Sequence, residues 1–350
     1  MEETGAHKVS VIIPVYQGER ALAGVVEEIR PFFHTTTTRD GHRFLVQEVI
    51  LVHDNGPDRS DAVIRSLQDQ VPQVRAVWMT RNFGQHAATL AGIASSGGEW
   101  VVTLDEDGQH DPAFISDMLD TAMREQAAVV YSRASNVAPH GFLRNAASRW
   151  SKRIMRSITE DPNVTMYQSY RLVLGEVARA TSAYAGHDVY LDVALGWITT
   201  RVAQCDVVLR EEGGRRSGYS PRKLVAHFWR LFLTSGTRGL RFVSVTGASL
   251  TVLGVAFAAF VLIARLFDLI VEPGWASLMI VLLIASGALL FSLGMIAEYL
   301  GIAVNAALGR PAYVIGSDVS RGPLGRRTAT QPVDETVDVR GSDVRRAPAQ

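Results

Sequence analysis

The chain has 350 residues, and its 35 lysine and arginine side chains balance its 35 aspartate and glutamate side chains. This length allows one large α/β domain with a smaller unit, and the neutral balance gives no overall signature of a nucleic-acid partner. The single cysteine, Cys205, excludes an internal disulfide, suits a reducing compartment and is interpreted as a small buried hydrophobe.

Short β-branched and apolar runs alternate with helical patterns in the first part of the chain. Strands are predicted at 9–13, 48–52, 75–79, 100–104 and 127–131. Between them, apolar residues recur at helical spacing, as in the segment that begins at Leu22 and is ended by Pro31. The alternation predicts an α/β fold with a mostly parallel sheet, in which ligands bind beyond the carboxyl ends of the strands. The threonine run at 35–38 is interpreted as a loop insertion without chemistry.

Asp105, Asp107 and Gln109 directly follow the fourth predicted strand. Residues two apart in an extended segment project to the same side, so these three side chains can converge. Oxygen ligands with open coordination positions suit Mg²⁺ or Mn²⁺ bridging a diphosphate, whose departing charge the metal would neutralise. The alternative is an acidic surface turn. A calcium-binding EF-hand loop is excluded because His110 and Ser116 stand where that loop requires glycine and glutamate.

Two other strand ends carry residues suited to a nucleoside. Pro14 and Tyr16 follow the first strand, and Asp54 follows the second. An aromatic ring and a carboxylate at neighbouring strand ends can hold a base and a ribose, although Asp54 is also a common turn residue. Gly84 is interpreted as structural.

Two long uncharged runs, 242–264 and 273–297, each reach the roughly 20 residues needed to cross about 30 Å of hydrocarbon. Buried core helices are the alternative, but such helices rarely stay uncharged for so long. Basic residues flank the outer ends of both runs, so the positive-inside rule predicts a multi-pass protein of the cytoplasmic membrane with both termini in the cytoplasm. The remaining predicted units are a cytoplasmic catalytic domain at 1–220, a juxtamembrane amphipathic segment at 221–241, and a juxtamembrane segment with a disordered tail at 298–350.

A basic amphipathic helix is predicted at 141–158. Its apolar face is opposed by basic residues that include Arg144, Arg149 and Arg153. Such a helix commonly lies in a membrane interface, where basic side chains favour anionic lipids. A solvated face on a core-packed helix is the alternative.

Taken in chain order, these strands, motifs and apolar runs resemble glycosyltransferase family 2. Within that family they resemble the polyprenyl-phosphate glycosyltransferases related to dolichol-phosphate mannose synthase, of the bacterial two-span type. The resemblance runs from residue 9 to residue 315. It rests on matches at 11–16, 53–58, 81–84, 104–112, 132–133, 170–172, 216–224, 298–301 and 309–313.

The resemblance implies an A-type glycosyltransferase fold, Rossmann-like with a mostly parallel sheet, followed by interfacial helices and a two-helix transmembrane hairpin. It implies inverting transfer of a sugar from a nucleotide sugar to a membrane polyprenyl phosphate, giving a lipid-linked monosaccharide for glycan or cell-envelope assembly. The site residues it implies, by position in the motifs, are Pro14, Tyr16, Glu19, Asp54 and Asp105 for the nucleotide sugar; Asp105, Asp107 and Gln109 for the metal; Asp107, Arg133 and Arg171 for catalysis; and Arg144, Arg149, Arg153 and Ser217 for the acceptor phosphate or the membrane interface.

The implied acceptor makes a general base unnecessary. A lipid phosphate is ionised near pH 7, so it can attack the anomeric carbon without losing a proton. Catalysis would then place two anions in line and screen their repulsion, for which the forks of Arg133 and Arg171 suit either the acceptor phosphate or the donor diphosphate. His53, His86 and His110, like His187, are interpreted as structural. The implied partners are a nucleotide sugar, polyprenyl phosphate and anionic membrane lipids, with Mg²⁺ or Mn²⁺ and without nucleic acid; a homo-oligomer is left open.

The sequence departs from the family pattern at several site positions. The opening motif continues Gln17-Gly18-Glu19 instead of Asn-Glu, which moves the carboxylate by one place. His53 and Gly56 replace an aspartate and a serine. Glu106 replaces a small residue, and Ser169 stands where the family often has glycine or aspartate. These changes indicate a divergent subgroup, with a different sugar or base.

Two rival functions are a processive polysaccharide synthase and a catalytically inactive membrane scaffold of the same fold. Processive synthases carry a later Gln-x-x-Arg-Trp motif and usually have more membrane spans. Here Arg149-Trp150 is preceded by Ala-Ala-Ser instead and lies within the basic helix, so the synthase is disfavoured. The scaffold is disfavoured because Asp105 and Asp107 are both present.

Overall fold

A computed structural model describes residues 5–136, 163–186, 189–210, 238–267 and 274–325. The basic helix predicted at 141–158 and most of the juxtamembrane segment predicted at 221–241 lie outside these described residues.

One mixed sheet is the framework of the α/β fold. Its strands are β1 (His7–Val15), β2 (Thr36–Thr37), β3 (Arg43–His53), β4 (Val74–Met79), β5 (Trp100–Thr103), β6 (Val129–Ala134), β7 (Arg171–Leu174), β8 (Val202–Val207) and β9 (Ile315–Gly316). The strand order is β8-β6-β7-β5-β1-β3-β4-β9, with β2 paired to β3. The central strands β5, β1, β3 and β4 run parallel, whereas β7 is antiparallel to both β5 and β6. This parallel centre confirms the predicted α/β fold and brings the carboxyl ends of four strands to one edge.

Helices cover both faces of this sheet. The described α-helices are α1 (Leu22–Ile29), α2 (Ser60–Gln70), α3 (Gln85–Ala94), α4 (Ile115–Glu125), α5 (Gly175–Tyr184), α6 (Leu191–Ile198), α7 (Arg238–Leu266) and α8 (Trp275–Ala307). One apolar core lies between the sheet and α1, α2 and α4, and a second lies between the sheet and α3, α5 and α6. β1 contributes side chains to both cores, which explains its nearly continuous apolar sequence. In α1, all the apolar positions predicted to face the core are at most 3 % exposed.

Part of the threonine run belongs to the sheet, so its interpretation as a loop was wrong. Thr36–Thr37 pairs antiparallel with β3. The buried Thr38 hydroxyl donates to the Asp120 carboxylate at 2.5 Å, and the same carboxylate accepts the Asp40 N–H at 3.0 Å. A hydroxyl and a carboxylate therefore fasten this hairpin to α4.

α8 is the one helix in the described parts of the chain that is long and apolar enough to cross a membrane, over residues 284–305. Only 6 % of its most apolar stretch is buried, which is unlike a core helix of a folded domain. The apolar stretch of α7, 243–257, is shorter. The two helices contact each other around Val243 and Met295.

The chain returns to the sheet after α8. β9 pairs antiparallel with the end of β4, and the Val314 carbonyl accepts a hydrogen bond from the Thr80 N–H at 3.1 Å. Tyr313 packs against the core that contains α3. Residues Ser317–Gln350, predicted to form a disordered tail, are a separate unit whose described part ends with a 3-10 turn at Pro323–Gly325.

The turn after β3 packs directly against the end of β1. The Asp54 N–H donates to the Val15 carbonyl at 2.8 Å. A Cβ built on Gly56 would lie 1.6 Å from the Tyr16 carbonyl oxygen, so this turn accepts no side chain at that position. Glycine in place of the family's serine is therefore a packing requirement of this chain.

Gly56→Ala should destabilise the protein by about 1–3 kcal/mol, the usual effect of overpacking a tight site. The melting temperature of the detergent-solubilised chain measures the loss. Gly24→Ala in α1 is the matched control, because a Cβ there meets nothing within 4 Å. Alanine should favour that helix by roughly 0.8–1 kcal/mol, so equal melting temperatures for the two variants would contradict the packing argument.

Candidate active site

A cavity of about 480 Å³ opens at the carboxyl edge of the parallel strands. It is formed by the ends of β1, β3 and β5 and by the segment between β4 and α3. Of the residues predicted from the sequence, it brings together Pro14, Tyr16, Asp54, Asp105 and Asp107. The other lining residues are Val15, Asn82, Gly84, Gln85 and Glu106.

Asp105 is oriented by side chains from two other segments. Its Oδ1 accepts a hydrogen bond from Gln85 Nε2 at 2.7 Å, and its Oδ2 accepts one from the Ser169 hydroxyl at 2.7 Å. Each carboxylate oxygen has two acceptor sites, so Asp105 can still bind a further ligand while its orientation is fixed.

His110 holds the backbone of the acidic segment at Asp105. Its Nδ1 accepts the Asp105 backbone N–H at 3.1 Å, and its ring stacks on Tyr170 with centroids 4.9 Å apart. Burial lowers the pKa of the imidazole, against the opposing charges of Asp105 and Asp107. A neutral, packed ring fits the interpretation of His110 as structural.

Asp107 is exposed at the tip of the acidic turn. Its Oδ1 accepts the Gln109 backbone N–H at 3.0 Å, and Gly108 between them has a φ of +77°. The Gln109 carbonyl accepts the Arg210 N–H at 3.1 Å. The Gln109 side chain is not part of the cavity lining, so its assignment to the metal stays a prediction.

Glu106 joins the end of β5 to the end of β1. Its carboxylate accepts the backbone N–H groups of Tyr16 at 2.8 Å and Gln17 at 3.0 Å. Burial raises the pKa of Glu106, and the charges of Asp58 and Asp107 act in the same direction, whereas the two N–H groups lower it. The small residue usual in this position could not make these bonds.

Asp54 shapes the opposite wall of the cavity. It is 3 % exposed, and its two oxygens accept the backbone N–H groups of Phe83 at 2.7 Å and Gly84 at 2.8 Å. Burial raises its pKa more than these hydrogen bonds lower it. Gly84 has a φ of +93°, a left-handed conformation that favours glycine, which agrees with the structural role predicted for it. Asp54 therefore positions the segment that leads into α3.

Tyr16 and Glu19, both predicted to bind the nucleotide sugar, differ in placement. Tyr16 lies in the cavity wall with 42 % of its surface exposed. Glu19 lies outside the lining, where its carboxylate accepts the Arg59 N–H at 3.2 Å and its own N–H donates to Asp58 at 3.1 Å.

The two arginines predicted to bind phosphate are engaged in ion pairs. Arg171 is 3 % exposed, pairs with Asp192, and donates through Nε to the Thr103 hydroxyl at 3.1 Å. Arg133 is exposed and forms a bidentate pair with Asp206 at 2.5 and 2.8 Å. Neither lines the cavity, and their contact with a phosphate stays a prediction. The remaining predicted site residues, Arg144, Arg149, Arg153 and Ser217, lie outside the described residues.

The charge of the cavity points to a cation. Four of its ten lining residues are carboxylates and none is basic. Such a lining repels an anionic diphosphate unless a cation binds with it. Within the described ranges, no cluster of three or more His, Cys, Asp and Glu side chains is arranged for a metal. Asp105 and Asp107 nevertheless fit a Mg²⁺-type site, because such sites often use one or two carboxylates and complete the coordination with substrate phosphates.

Sequence reasoning missed three residues that build this site. Gln85 and Ser169 hold Asp105, and Glu106 joins two strand ends. For Glu106 and Ser169 the available signal was their departure from the family pattern at motif positions. For Gln85 it was its place directly after Gly84, at the start of a helix.

Glu106→Gln should reduce the pH dependence of stability. Because the folded-state pKa of Glu106 is raised above its ordinary value of 4.5, its protonation stabilises the fold fully below pH 4.5, and that contribution is lost as pH rises through the folded pKa. We expect the melting temperature of the variant to vary less between pH 4.5 and 7 than that of the wild type. The exposed Glu125→Gln is the control and should follow the wild type. Parallel profiles for all three proteins would contradict the assignment.

Residues 10–177 match the family model described as Glycosyl transferase family 2. The undecaprenyl-phosphate 4-deoxy-4-formamido-L-arabinose transferase of Pseudomonas savastanoi pv. phaseolicola is 30% identical over 344 residues, which cover 94% of each chain. The protein of that name from Sodalis glossinidius is 28% identical over 342 residues, covering 93% of this chain and 98% of the relative. Among solved structures, glucosyl-3-phosphoglycerate synthase from Mycobacterium tuberculosis is similar with a TM-score of 0.47 and 17% identity, over 66% of this chain and 80% of that chain. The chain therefore belongs to glycosyl transferase family 2, with an A-type α/β fold, and within that family to the polyprenyl-phosphate glycosyltransferases.

Proposed function

We propose that the protein transfers a sugar from a nucleotide sugar to a membrane polyprenyl phosphate, with inversion at the anomeric carbon, to give a lipid-linked monosaccharide for glycan or cell-envelope assembly. The observation that carries the proposal is an acid-lined cavity at the carboxyl edge of the sheet, in a chain that continues into the long apolar helix α8. Relatives similar over nearly their whole length are named as transferases of undecaprenyl phosphate, which supports a polyprenyl phosphate as acceptor.

The nucleotide sugar is assigned to the cavity. Its volume of about 480 Å³ suits a small ligand of this class. The half-exposed ring of Tyr16, next to Pro14, offers a stacking surface for the base. Asp54 acts on the nucleotide-sugar site indirectly. Both of its oxygens accept backbone N–H groups, those of Phe83 and Gly84, and so it positions this wall of the cavity. Glu19 is the further nucleotide-sugar candidate, and it lies next to this region at the turn that carries Asp58.

A divalent cation, Mg²⁺ or Mn²⁺, is assigned to Asp105 and Asp107, with Gln109 as a third candidate ligand. When bound, it would neutralise the charge that develops on the departing nucleoside diphosphate. Asp105 is oriented by two hydrogen bonds, whereas the exposed Asp107 accepts one backbone N–H, that of Gln109, through Oδ1. The excess of carboxylates in the cavity supports this assignment.

The reaction is a single displacement. An oxygen of the acceptor phosphate attacks the anomeric carbon on the face opposite the nucleoside diphosphate. The new C–O bond forms as the bond to the diphosphate breaks, which inverts the anomeric centre. The attacking oxygen carries no proton near pH 7, so no side chain has to remove one. The burial of His110 against Tyr170 is compatible with this absence of a base.

The acceptor side is assigned to basic residues. Arg133, whose side chain is exposed, is the described candidate for a phosphate contact, whereas Arg171 is 3 % exposed and paired with Asp192. Arg144, Arg149, Arg153 and Ser217 are candidates for the acceptor phosphate or the membrane interface. An arginine fork binds phosphate oxygens in pairs.

α7 and α8 are assigned to a two-span membrane hairpin, with the catalytic domain and both termini on the cytoplasmic side. Apolar side chains on both helices are open to the surroundings, as with Val252 and Leu253 on α7 and Leu289 and Leu290 on α8, each between 64 and 70 % exposed. An exposed apolar surface of this extent suits lipid.

The purified chain should form a lipid-linked sugar from polyprenyl phosphate and at least one donor of a labelled nucleotide-sugar panel that includes a 4-formamido-arabinose donor. We expect Asp107→Ala to lower this transfer by about 100-fold or more, because a charge-screening ligand is lost. Its melting temperature should stay close to the wild type, since an exposed site contributes little to stability.

Asp40→Ala is the matched control, since it removes an exposed aspartate whose ion pair with Arg124 at 3.3 Å lies at the surface. No lipid-linked product from any donor would refute the proposed reaction. Full transfer activity of Asp107→Ala would remove Asp107 from the proposed metal site. Unchanged complementation of a knockout by Asp107→Ala, without any transfer, would favour the inactive scaffold. Long polymer in place of a single transferred sugar would favour the synthase.

The topology predicts where reporter domains become active. A reporter fused after residue 325 should be active on the cytoplasmic side, and one inserted at Gly274 between α7 and α8 on the opposite side. Activity of both fusions on the same side would contradict the hairpin.

A further inference from the structure

We infer that the buried Arg171–Asp192 ion pair acts on the reaction as a positioning group, which fixes the orientation of Asp105 through Thr103 and Ser169. The inference rests on the proposed function, because it takes Asp105 as a ligand of the divalent cation.

Strand pairing brings these residues together. β7 runs antiparallel to β5, and Thr103 lies opposite Arg171. The chain continues from β5 into Asp105 and enters β7 from Ser169, so the acidic motif and Ser169 lie side by side. The Ser169 hydroxyl thereby reaches Asp105 Oδ2 at 2.7 Å, although the two residues are 64 positions apart in sequence.

Hydrogen bonds on both sides of Ser169, one to its backbone and one from its side chain, link the ion pair to the carboxylate. Arg171 Nε donates to the Thr103 hydroxyl at 3.1 Å. The Thr103 hydroxyl donates to the backbone carbonyl of Ser169, and the Ser169 hydroxyl donates to Asp105. Each donor has one acceptor in this series, so the direction of every hydroxyl is determined.

The buried end of the series is rigid. Arg171 and Asp192 are 3 % and 7 % exposed, and the Tyr131 hydroxyl donates to the same Asp192 carboxylate at 2.9 Å. A buried guanidinium that lost its carboxylate would be left as an uncompensated charge, so this pair does not rearrange easily. Arg171 therefore holds Thr103 in one orientation.

Gln85 completes the arrangement from the other side of the cavity. It donates to Asp105 Oδ1 at 2.7 Å, while Ser169 donates to Oδ2. A carboxylate held at both oxygens presents its remaining lone pairs in fixed directions, which is what a metal ligand requires of its surroundings. Serine at position 169, a departure from the family pattern, therefore serves to orient the Asp105 carboxylate.

The test is Mn²⁺ binding to the full chain in detergent, measured by electron paramagnetic resonance with Mn²⁺ alone. Loss of an outer-shell partner typically weakens metal affinity by about 10–100-fold, and we expect a loss of this size for Ser169→Ala. Ser169→Thr, which keeps the hydroxyl, should stay within about threefold of the wild type. Ser182→Ala is the matched control, since that half-buried hydroxyl donates to the Arg179 carbonyl within α5 and is not part of the cavity lining.

A merely structural role of Ser169 would lower the melting temperature without a selective loss of Mn²⁺ affinity, so both are measured on each variant. Thr103→Val combined with Ser169→Ala should bind Mn²⁺ no more weakly than Ser169→Ala alone, because both changes interrupt the same series. Wild-type affinity in Ser169→Ala, or additive losses in the double variant, would overturn the inference. A wild-type chain that binds no Mn²⁺ would instead remove the metal from the proposed function, and this inference with it.

Discussion

The active site depends on how four carboxylates are held in one cavity without a basic residue in its lining. Asp54 and Glu106 each accept two backbone N–H groups, and Asp105 accepts two side-chain donors. These neutral donors fix the carboxylates in place, although burial raises the pKa of Asp54 and Glu106. The negative character of the cavity comes from its lining, which holds four carboxyl groups and no basic side chain. Asp107 is the member with the most freedom. An array of this kind is preorganised for a cation and for an anionic ligand that arrives with it.

The same hydrogen bonds explain why the strand ends meet in a defined geometry. Parallel pairing alone brings β1, β3 and β5 to one edge, but it does not fix the loops beyond them. Glu106 joins the loop after β5 to that after β1, and Asp54 joins the turn after β3 to the segment before α3. The close approach of Gly56 to the Tyr16 backbone packs the turn after β3 against the end of β1. The carboxylates therefore have two roles. They give the site its negative charge, and through Asp54 and Glu106 they connect the segments that form its walls.

Much of this arrangement could be predicted from local patterns. The apolar runs marked the central strands, the spacing from Leu22 to Ile29 marked the buried face of α1, and the rule that ligands bind at the carboxyl ends of parallel strands located the cavity. What escaped prediction depends on partners distant in sequence. Glu106 bonds a residue 90 positions away and Arg171 pairs with a residue 21 positions away, across elements whose pairing no local pattern determines. Arg171 was predicted to contact a phosphate from its position in a motif, and its place in the antiparallel strand β7, where it is 3 % exposed and paired with Asp192, was not foreseen.

The acceptor imposes the last constraint, because a polyprenyl phosphate stays in the bilayer while a nucleotide sugar diffuses in water. In the proposed topology the chain leaves α8 at Ala307 and enters β9 at Ile315, so residues 308–314 are the whole connection. Seven residues span at most roughly 25 Å when extended. β9 pairs with the end of β4, and the residues after β4 include Asn82 and Gly84 of the cavity wall. Under the proposed topology, the return of the chain to β4 would keep the proposed donor cavity close to the membrane surface, where the attacking phosphate would lie.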